Sequence, residues 1–415
     1  MNDTMTQILD HAGGLDARLY DSVSASLDHP DLIALRPGLV AAAFRLMKLV
    51  PAKYIIEKAL ATGQLDPGMP VLETSSGTFA MGIGIVCAEK RIPFHIVSDA
   101  AIDARLQARL AQLGGRVQIV GADASGSNVQ VLRLEALQEQ LRDNPGGFWP
   151  RQYDNPDNQQ AYRAFARQLI AAFGRDLVVV GTVGSGASTC GTIKALRETD
   201  PSIRLVGVDT FGSVLFGLPV GKRALRGLGN SIHPGNVDHA CFDEVHWVSP
   251  AEVYASTRRL HAEHGLYCGP TSGAAFMVAQ WVRAQRQDGK TVVFIAPDEG
   301  HRYIDSVYDD AWLREQGVAD TVLATEPARA GSPATAGGAW ARFEWERRSF
   351  AEATGRDKPA GDALAQIRAT PTTPTTPTTP TTPTTPTTPT TPTTPTTPTT
   401  PTVPATPVAA PAPAA

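Results

Sequence analysis

Residues 177–186 read L-V-V-V-G-T-V-G-S-G, and this stretch points to the architecture of the whole chain. Four consecutive apolar residues predict a short strand that is covered on both faces, as strands in parallel sheets are. The glycines that follow precede a helical segment at 190–197, and they let backbone N–H groups approach an anion at the start of that helix. The stretch therefore predicts a strand, a phosphate-binding turn and a helix, with an ordinary turn that binds nothing as the alternative.

Five more runs of the same kind occur between residues 31 and 312. Each is short, rich in Val and Ile, and bounded by Gly, Pro, Asp or Ser, which predicts a buried strand. The runs cover residues 71–73, 94–97, 117–120, 205–208 and 292–295. Helical segments lie between them, and the clearest of these cover 101–113, 162–173 and 251–264. The alternation of strand and helix predicts an α/β fold with doubly wound parallel sheets.

The predicted strands fall into two groups, separated by the linker N-P-G-G at residues 144–147. We therefore expect two doubly wound domains, a smaller one at about 72–142 and a larger one at about 31–70 and 150–323. The expected order along the chain is an N-terminal arm at 1–30, the α/β region at 31–323, a variable extension at 324–368 and a tail at 369–415. The extension contains one expected helix, at 339–353.

The tail has a composition that cannot form a core. From Pro371 to Pro404 a proline recurs at every third position in a T-T-P repeat, and no charged residue follows Arg368. Proline removes backbone donors and favours an extended, solvated polyproline II conformation. We therefore predict that the tail is disordered, serves as a spacer or docking segment, and takes no part in any chemistry.

Composition excludes several classes of protein. The chain has 415 residues, with 37 Lys and Arg against 41 Asp and Glu, so the formal net charge is −4 and argues against nucleic-acid binding. No run of 18 apolar residues occurs, and the first residues lack the basic and apolar regions of a signal peptide, so we expect neither a membrane span nor secretion. The cysteines are widely spaced, which predicts neither disulfides nor a zinc site and fits the cytoplasm. They are Cys87, Cys190, Cys241 and Cys268.

Two other turns also place hydroxyl groups at the predicted start of a helix. E-T-S-S-G-T at 73–78 follows a strand, and its hydroxyl and backbone donors suit a carboxylate. G-P-T-S-G-A-A at 269–275 offers a hydroxyl to a ring nitrogen or another polar group. The loop G-L-G-N-S at 227–231 is glycine-rich enough to close over a ligand. Each has an ordinary alternative, because Ser and Thr are favoured as helix caps and glycine loops are common on surfaces.

Other known motifs do not fit. The spacing of Gly181, Gly184 and Gly186 matches neither the dinucleotide fingerprint nor the P-loop, and no G-x-S-x-G of a serine hydrolase occurs. His261 and His264 can share one helix face but lack a third ligand, so we predict no metal site. Three helix-start turns in an α/β chain are best suited to a cofactor with a phosphate and a polar ring.

Six motifs give the chain a family resemblance. They are residues 48–73, S-S-G-T-F-A-M-G-I-G (75–84), Q-Y-D-N-P-D-N (152–158), G-T-V-G-S (181–185), G-L-G (227–229) and P-T-S-G-A-A (270–275). In this order they resemble the Schiff-base helix, substrate loop, Q-x-x-N-P-x-N segment, phosphate loop, G-I-G and S-S-G-A-A motifs of the cysteine synthase/cystathionine β-synthase family. These are the tryptophan-synthase-β-like, or fold type II, pyridoxal phosphate enzymes. The resemblance covers roughly residues 31–312 and implies their fold and their cofactor, pyridoxal 5'-phosphate.

The resemblance places Lys48 at the Schiff-base position, by an ungapped count back from Gly63. Lys53 is the alternative, but the two lysines lie five residues apart, about 140° around a helix, and cannot both face one pocket. A lysine amine suits this role because it reacts with the cofactor's aldehyde and can shuttle the α-proton.

The resemblance also implies roles for the other candidate site residues. The phosphate is expected at Gly181, Thr182, Gly184 and Ser185, and the ring at Thr78 and Thr271. The substrate carboxylate is expected at Ser75, Ser76, Gly77 and Gln152, with Gly227 and Gly229 flanking the space where substrate meets cofactor. A neutral hydroxyl at Thr271 would leave the ring nitrogen largely unprotonated, which favours loss of a β-substituent over transamination. Asp298, after the last predicted strand, is expected on the ring side.

The chain departs from the family pattern at three places near the site. Leu46 to Val50 replace the family's S-x-K-D-R, and Val183 replaces a glycine of the phosphate loop. Thr78 stands where the family has an asparagine, and the bulky Phe79 follows it. The expected function is β-replacement on an O-activated serine-type amino acid by a small nucleophile, in a cytoplasmic homodimer. A β-eliminating lyase or deaminase is one alternative, and a non-catalytic binding or regulatory protein of the same fold is the other.

Overall fold

A computed structural model of the chain describes residues 19–100, 102–121 and 129–359. The predicted arm at 1–30 lies partly outside the described residues. The predicted disordered tail at 369–415 and the last part of the expected extension, from residue 360, lie wholly outside them.

The described residues contain eleven strands. They are β1 Asp31–Arg36, β2 Leu39–Ala43, β3 Val71–Thr74, β4 Phe94–Asp99, β5 Arg116–Val120, β6 Leu177–Thr182, β7 Arg204–Thr210, β8 Glu244–Val248, β9 Thr291–Ala296, β10 Ala328–Arg329 and β11 Trp340–Glu344. The six predicted runs all become strands, namely β3, β4, β5, β6, β7 and β9. The other five strands were not predicted from the sequence.

The strands form one sheet of eight and one of three. The larger sheet has the order β1-β2-β9-β6-β7-β8-β11-β10, and the smaller has the order β3-β4-β5. The smaller sheet is parallel throughout, as are the neighbours from β2 to β8 in the larger sheet. Near the two edges, β1 pairs antiparallel with β2, and β11 pairs antiparallel with β8. The predicted α/β fold with parallel sheets is thus confirmed, with antiparallel additions toward the edges of the larger sheet.

Helices connect these strands. They are α1 Val23–Ser26, α2 Leu49–Ala61, α3 Thr78–Lys90, α4 Ala104–Gln112, α5 Val129–Asp143, α6 Asp157–Gln160, α7 Arg163–Phe173, α8 Ala187–Arg197, α9 Pro250–His264, α10 Pro270–Ala284, α11 Asp310–Glu315 and α12 Phe350–Thr354. Three short 3₁₀ helices cover His239–Cys241, Gly300–Tyr303 and Pro333–Thr335. In the part of the chain that the structure describes, no helix combines the length and the apolar composition needed to cross a membrane.

Both faces of the larger sheet are covered, which explains why its central strands have continuous apolar sequences. In β6, Val179 packs in a cluster with Phe165 of α7, whereas its neighbour Val180 packs in another cluster with Phe276 of α10. Successive side chains of a strand point to opposite faces, so a strand between two helical layers needs apolar residues at every position. This is the doubly wound arrangement that the sequence predicted.

Helix α2 packs with the smaller sheet. Leu49 and Ile56 of α2 lie in one apolar cluster with Phe79 and Ile83 of α3. A Cβ atom on Gly82 of α3 would lie 2.9 Å from the carbonyl oxygen of Lys48, so only glycine allows this approach. Val50 of α2 lies instead in the cluster of Phe165 and Val179, so α2 contacts both parts and the predicted domain bounds stay a prediction.

The extension contains a strand where a helix was predicted. The helix expected at 339–353 is wrong, because residues 340–344 form β11 and only Phe350–Thr354 form a helix. Trp340 and Phe343 of β11 are buried while Arg342 and Glu344 are less so, and the strand pairs in register with β8 from Val248 to Glu244. Residues 340–344 form a strand because they can pair with the free edge of β8, and the local sequence does not reveal such an edge.

Candidate active site

A cavity of about 410 Å³ opens where strands of the larger sheet end. The residues that follow β2, β6 and β9 line it, together with the starts of helices α3 and α10. Ends of parallel strands are the usual place for ligands in open α/β sheets. Every site residue predicted from the sequence lines this cavity except Gly181. Those that do are Lys48, Ser75, Ser76, Gly77, Thr78, Gln152, Thr182, Gly184, Ser185, Gly227, Gly229 and Thr271.

Lys48 immediately precedes helix α2 and points into the cavity. Its Nζ donates a hydrogen bond to the Oγ atom of Ser185 at 3.1 Å. Burial lowers the pKa of Lys48 to about 8, although the nearby charge of Glu73 acts in the opposite direction. A lowered pKa makes the free amine more accessible near neutral pH, as a nucleophilic lysine requires. Lys53, the alternative, instead forms an ion pair with Asp28 and does not line the cavity.

The turn between β6 and α8 forms a cradle of backbone and hydroxyl donors. Gly186 caps α8 with a φ of +81°, in the left-handed region that favours glycine. A Cβ on Gly186 would lie 2.6 Å from the carbonyl oxygen of Asn236, and one on Gly184 would lie 2.9 Å from that of Gly227. The first N–H groups of α8 lack partners within the helix, and the Ser185 side chain lies beside them. This donor set suits a phosphate.

Gly181 does not line the cavity, so its predicted part in phosphate binding stays a prediction. It lies inside β6, paired with Gly207 of β7. A Cβ on Gly181 would lie 2.7 Å from the Cγ2 atom of Thr189 on α8. The glycine therefore lets α8 pack closely on the strand, and it faces the helix instead of the cavity.

On the opposite side, the turn at 73–78 is held by buried polar contacts. The Oγ atom of Ser75 accepts hydrogen bonds from the N–H groups of Gly77 at 3.2 Å and Ala80 at 3.3 Å, so it caps α3. The side-chain amide of Gln152 donates to the carbonyl oxygen of Thr74 at 2.8 Å. The predicted substrate-binding residues therefore also organise the turn itself.

Glu73 lies behind the wall of the cavity on this side and holds its segments together by hydrogen bonds. It is buried, and its carboxylate accepts hydrogen bonds from Thr74 N at 2.8 Å, Trp149 Nε1 at 3.0 Å and Gln152 N at 3.2 Å. Burial raises the pKa of Glu73 to about 7, and these three donors partly offset that effect. The carboxylate thus joins β3 to the segment that carries Gln152.

A third group of residues lies at the start of α10. Thr271 is buried there, and Asp298 follows β9 beside it. The Oδ2 atom of Asp298 accepts the hydroxyl of Tyr303 at 2.7 Å, while Oδ1 has no hydrogen-bond partner among the described residues. Burial raises the pKa of Asp298 to about 6. An unsatisfied buried oxygen and a hydroxyl at one end of the cavity suit a ligand with a polar ring.

These three groups fit pyridoxal phosphate. The cavity offers an amine for the aldehyde, a cradle of donors for the phosphate, and polar atoms at Thr271 and Asp298 for the ring. The glycines at 184 and 186 let the backbone of Gly227 and Asn236 approach the turn, where any Cβ would collide with their carbonyl oxygens.

Comparison with protein families agrees with this fit. Residues 46–298, well over half of the chain, match the model of a family described as "Pyridoxal-phosphate dependent enzyme". The chain belongs to this family. The predicted cofactor and the prediction of a fold type II pyridoxal phosphate enzyme are confirmed, and the alternative of a non-catalytic protein is not supported.

Relatives of this pyridoxal-phosphate dependent enzyme indicate which type of enzyme it is within the family. It is 34% identical over 313 residues to N-(2-amino-2-carboxyethyl)-L-glutamate synthase of Ralstonia nicotianae, covering 74% of this chain and 90% of that one. It is 28% identical over 286 residues to a putative cysteine synthase of Sinorhizobium fredii, covering 68% and 85%. The crystal structure of O-acetylserine dependent cystathionine beta-synthase from Helicobacter pylori is similar in fold, with a TM-score of 0.63, 23% identity, and coverage of 70% and 98%. The predicted cysteine synthase type is confirmed.

The arginines of the cavity were not predicted from the sequence. Among the described residues, the lining of the cavity includes four arginines and one acidic residue, Asp298. The arginines are Arg133, Arg223, Arg226 and Arg302. They come from a helix, a loop and the segment after β9, so no spacing along the chain could have grouped them.

Two of the arginines have acidic partners and two do not. Arg133 is buried and pairs with Asp99 at 2.9 Å, and Arg302 pairs with Asp103 at 2.9 Å. Arg223 donates to the carbonyl oxygen of Leu228 at 3.5 Å. Arg226 is exposed and has no side-chain partner in the described parts of the chain. Positive charge without an ion pair therefore lies on the loop at 223–226, beside Gly227, although the charge of the buried Asp209 also acts on Arg223.

Proposed function

We propose that this enzyme catalyses β-replacement on an O-activated serine, with the amino group of a second, dicarboxylic amino acid such as glutamate as the nucleophile. The predicted β-replacement agrees with the names of the relatives. The name of the Ralstonia relative describes a glutamate whose nitrogen carries a 2-amino-2-carboxyethyl group. Transferring that three-carbon unit from a serine derivative to an amine is a β-replacement that forms a C–N bond.

The observation that carries this proposal is the charge of the cavity. In the part of the chain that the structure describes, Lys48 and four arginines line the cavity with a single acidic residue, Asp298. The cofactor's phosphate and the first substrate's carboxylate account for part of this positive charge. A dicarboxylic amino acid brings two more carboxylates, for which Arg223 and Arg226 are available, because guanidinium groups bind carboxylates through paired hydrogen bonds. A small nucleophile such as sulfide would need no such cations.

We assign the remaining roles as follows. Thr182, Gly184 and Ser185 bind the cofactor's phosphate, and Thr271 binds its ring nitrogen. Thr78 lies near the ring hydroxyl. The first substrate's carboxylate is bound by Ser75, Ser76, Gly77 and Gln152, and Gly227 and Gly229 flank the space in which the two substrates meet. The support is that all of these residues line one cavity with Lys48.

The chain's own residues then carry the proton transfers and the positioning. When bound, pyridoxal phosphate stabilises negative charge on the α-carbon of an attached amino acid. Lys48, whose pKa burial lowers to about 8, takes the α-proton while the leaving group departs from the β-carbon. The amine of the second amino acid bonds to that β-carbon, and Lys48 returns a proton to the α-carbon. Arg223 and Arg226 hold the second amino acid so that its amine faces the β-carbon.

We also propose a cytoplasmic location and a homodimeric assembly. The four cysteines are all buried free thiols, which fits a reducing compartment. The homodimer rests on the resemblance to the cysteine synthase family. Light scattering of the purified protein tests it, because a homodimer has twice the chain mass of 44.0 kDa.

A nucleophile competition tests the proposed reaction. O-acetylserine or O-phosphoserine is incubated with the enzyme and glutamate, alanine or sulfide, and the products are identified by mass spectrometry. We expect the glutamate adduct to form faster than the others. Preferential formation of cysteine from sulfide would contradict the proposal, and release of pyruvate in the presence of glutamate would favour the lyase alternative.

The variant Arg226→Gln tests the charge argument within the same assay. Loss of a charge-assisted hydrogen bond costs about 1.5–3 kcal/mol, so we expect the KM for glutamate to rise by about 10- to 100-fold. The KM for the serine derivative should stay within about twofold, because a different set of residues binds it. Equal increases in both KM values would place Arg226 on the first substrate instead.

A further inference from the structure

The part of the extension at residues 345–358 packs against a loop that lines the cavity. We call residues 345–358 the brace and residues 212–237 the cavity loop. Trp345 is fully buried and its ring meets that of Phe216 edge to face, with centroids 5.2 Å apart. The ring of Phe350 packs against that of His233, in the cavity loop, with centroids 5.0 Å apart. Aromatic contacts of this kind stabilise packing beyond the burial of area alone.

Polar contacts fix the same loop at Gly217. The guanidinium of Arg356 donates to the carbonyl oxygen of Gly217. Gly217 has a φ of +89°, and a Cβ there would lie 2.8 Å from the Cγ2 atom of Thr354. Both the backbone conformation and the close approach of the brace therefore require glycine at this position.

Lys358 fixes the far end of the cavity loop. Its half-buried ammonium donates to the carbonyl oxygens of Pro234 at 3.3 Å and Val237 at 3.0 Å. These two carbonyls bracket Asn236. A lysine that donates to two carbonyls at once limits how far Asn236 can move.

Asn236 connects this contact to the cofactor site. Its carbonyl oxygen lies 2.6 Å from where a Cβ of Gly186 would be, so it forms the outer side of the phosphate cradle. Its backbone N–H and side-chain amide donate to the carbonyl oxygen of Tyr153 at 3.1 and 3.0 Å. Tyr153 and Gly186 both line the cavity.

We propose that the brace positions the active site, and that Lys358 is a positioning residue which holds Asn236 against the phosphate cradle. The brace lies beyond residues 46–298, which match the family model, so the family domain alone does not contain this contact. The proposal does not depend on which nucleophile the enzyme uses. The extension therefore contributes to the binding of the cofactor.

The variant Lys358→Met tests the proposal, because it keeps the apolar stem and removes the ammonium. We expect the dissociation constant of pyridoxal phosphate, measured by the absorbance of the bound cofactor, to rise about tenfold, which is about 1.4 kcal/mol. Lys358→Arg should restore most of the affinity. Arg329→Met is the matched control, because Arg329 is an exposed cation of the same extension with no side-chain partner among the described residues.

Hydrogen exchange separates a positioning role from a general loss of stability. In Lys358→Met we expect faster exchange in residues 212–237 and near Gly186, with the strands of the larger sheet unchanged. The proposal is overturned if the variant binds the cofactor as tightly as Arg329→Met does. Faster exchange throughout the chain would also overturn it, since Lys358 would then stabilise the fold as a whole.

Discussion

The two sides of the cavity contain different kinds of polar group. On the side of the larger sheet, Gly184, Ser185 and Thr271 present backbone N–H groups and hydroxyls at the starts of two helices. On the side of the smaller sheet, Glu73 and Arg133 are buried charges held by hydrogen bonds. Neutral donors at fixed backbone positions suit a group that is always the same, such as the cofactor. The charges of Glu73 and Arg133 instead hold Thr74, and so fix the turn at 73–78 that is proposed to bind the first substrate.

Lys48 lies between the two sides and takes part in both. It contacts Ser185 on one side, and the charge of Glu73 on the other raises its pKa against the effect of burial. We therefore expect changes on the two sides to alter different quantities: cofactor affinity on the larger-sheet side, and the pH dependence of the amine on the smaller-sheet side.

The largest effect is expected at Lys48 itself. Lys48→Ala removes the amine that binds the cofactor covalently and moves the α-proton, so kcat should fall by at least about 10³-fold. The visible absorbance band of the lysine-bound cofactor should disappear. Lys53→Ala is the control, and because it removes only a partly exposed ion pair with Asp28, it should keep the band and lose less than about 1 kcal/mol of stability. The reverse pattern would mean that Lys53 carries the cofactor.

A smaller effect is expected in the phosphate cradle. Gly186→Ala adds a methyl group that meets the carbonyl oxygen of Asn236 and strains a backbone with a φ of +81°. We expect pyridoxal phosphate to bind about 10- to 100-fold more weakly. Gly174→Ala is the matched control, since Gly174 also has a positive φ, +60°, but has nothing within 4 Å of the added methyl. Equal cofactor affinity in the two variants would show that the cradle is not at Gly186.

The smallest effect is expected from Glu73, on the smaller-sheet side. The amine of Lys48 must lose its proton to react, so the rate of cofactor loading into the apoenzyme should rise with pH. The midpoint of that rise should lie near pH 8, the pKa of the amine. At that pH Glu73, with a pKa raised to about 7, is mostly ionised, and its charge holds the pKa of Lys48 up. Glu73→Gln should therefore move the midpoint to lower pH, by roughly half a unit to one unit.

The half-exposed Glu57, which pairs with Lys90, provides the control for this titration. Glu57→Gln should leave the midpoint of loading unchanged. A midpoint that stays in place or moves upward in Glu73→Gln would show that Glu73 does not act on the amine.

The larger-sheet side could be predicted from the sequence, and most of the charged residues could not. Strands such as β6 and the glycine turn after it are encoded by adjacent residues, and the resemblance supplied Lys48. Gly181 packs against α8, and a glycine that admits a packed helix and one that admits a ligand look the same in sequence. Arg133, Arg226 and Arg302 lie far apart along the chain, and only folding brings them to one cavity.

The extension was mispredicted for a related reason. Residues 340–344 form a strand because the edge of β8 is open to them, and the brace matters because the cavity loop lies beside it. Both facts depend on tertiary contacts. The apolar residues at 341, 343 and 345 alternate with the polar residues Arg342 and Glu344, as in a strand, and this signal could have indicated β11.

The most direct test of the account is to find the lysine that carries the cofactor. The purified enzyme, loaded with pyridoxal phosphate, is reduced with borohydride, digested and mapped by mass spectrometry for the modified lysine. We predict a single phosphopyridoxyl group, on Lys48, and none on Lys53. Modification of Lys53 or of another lysine, or none at all in protein that has been exposed to the cofactor, would contradict it.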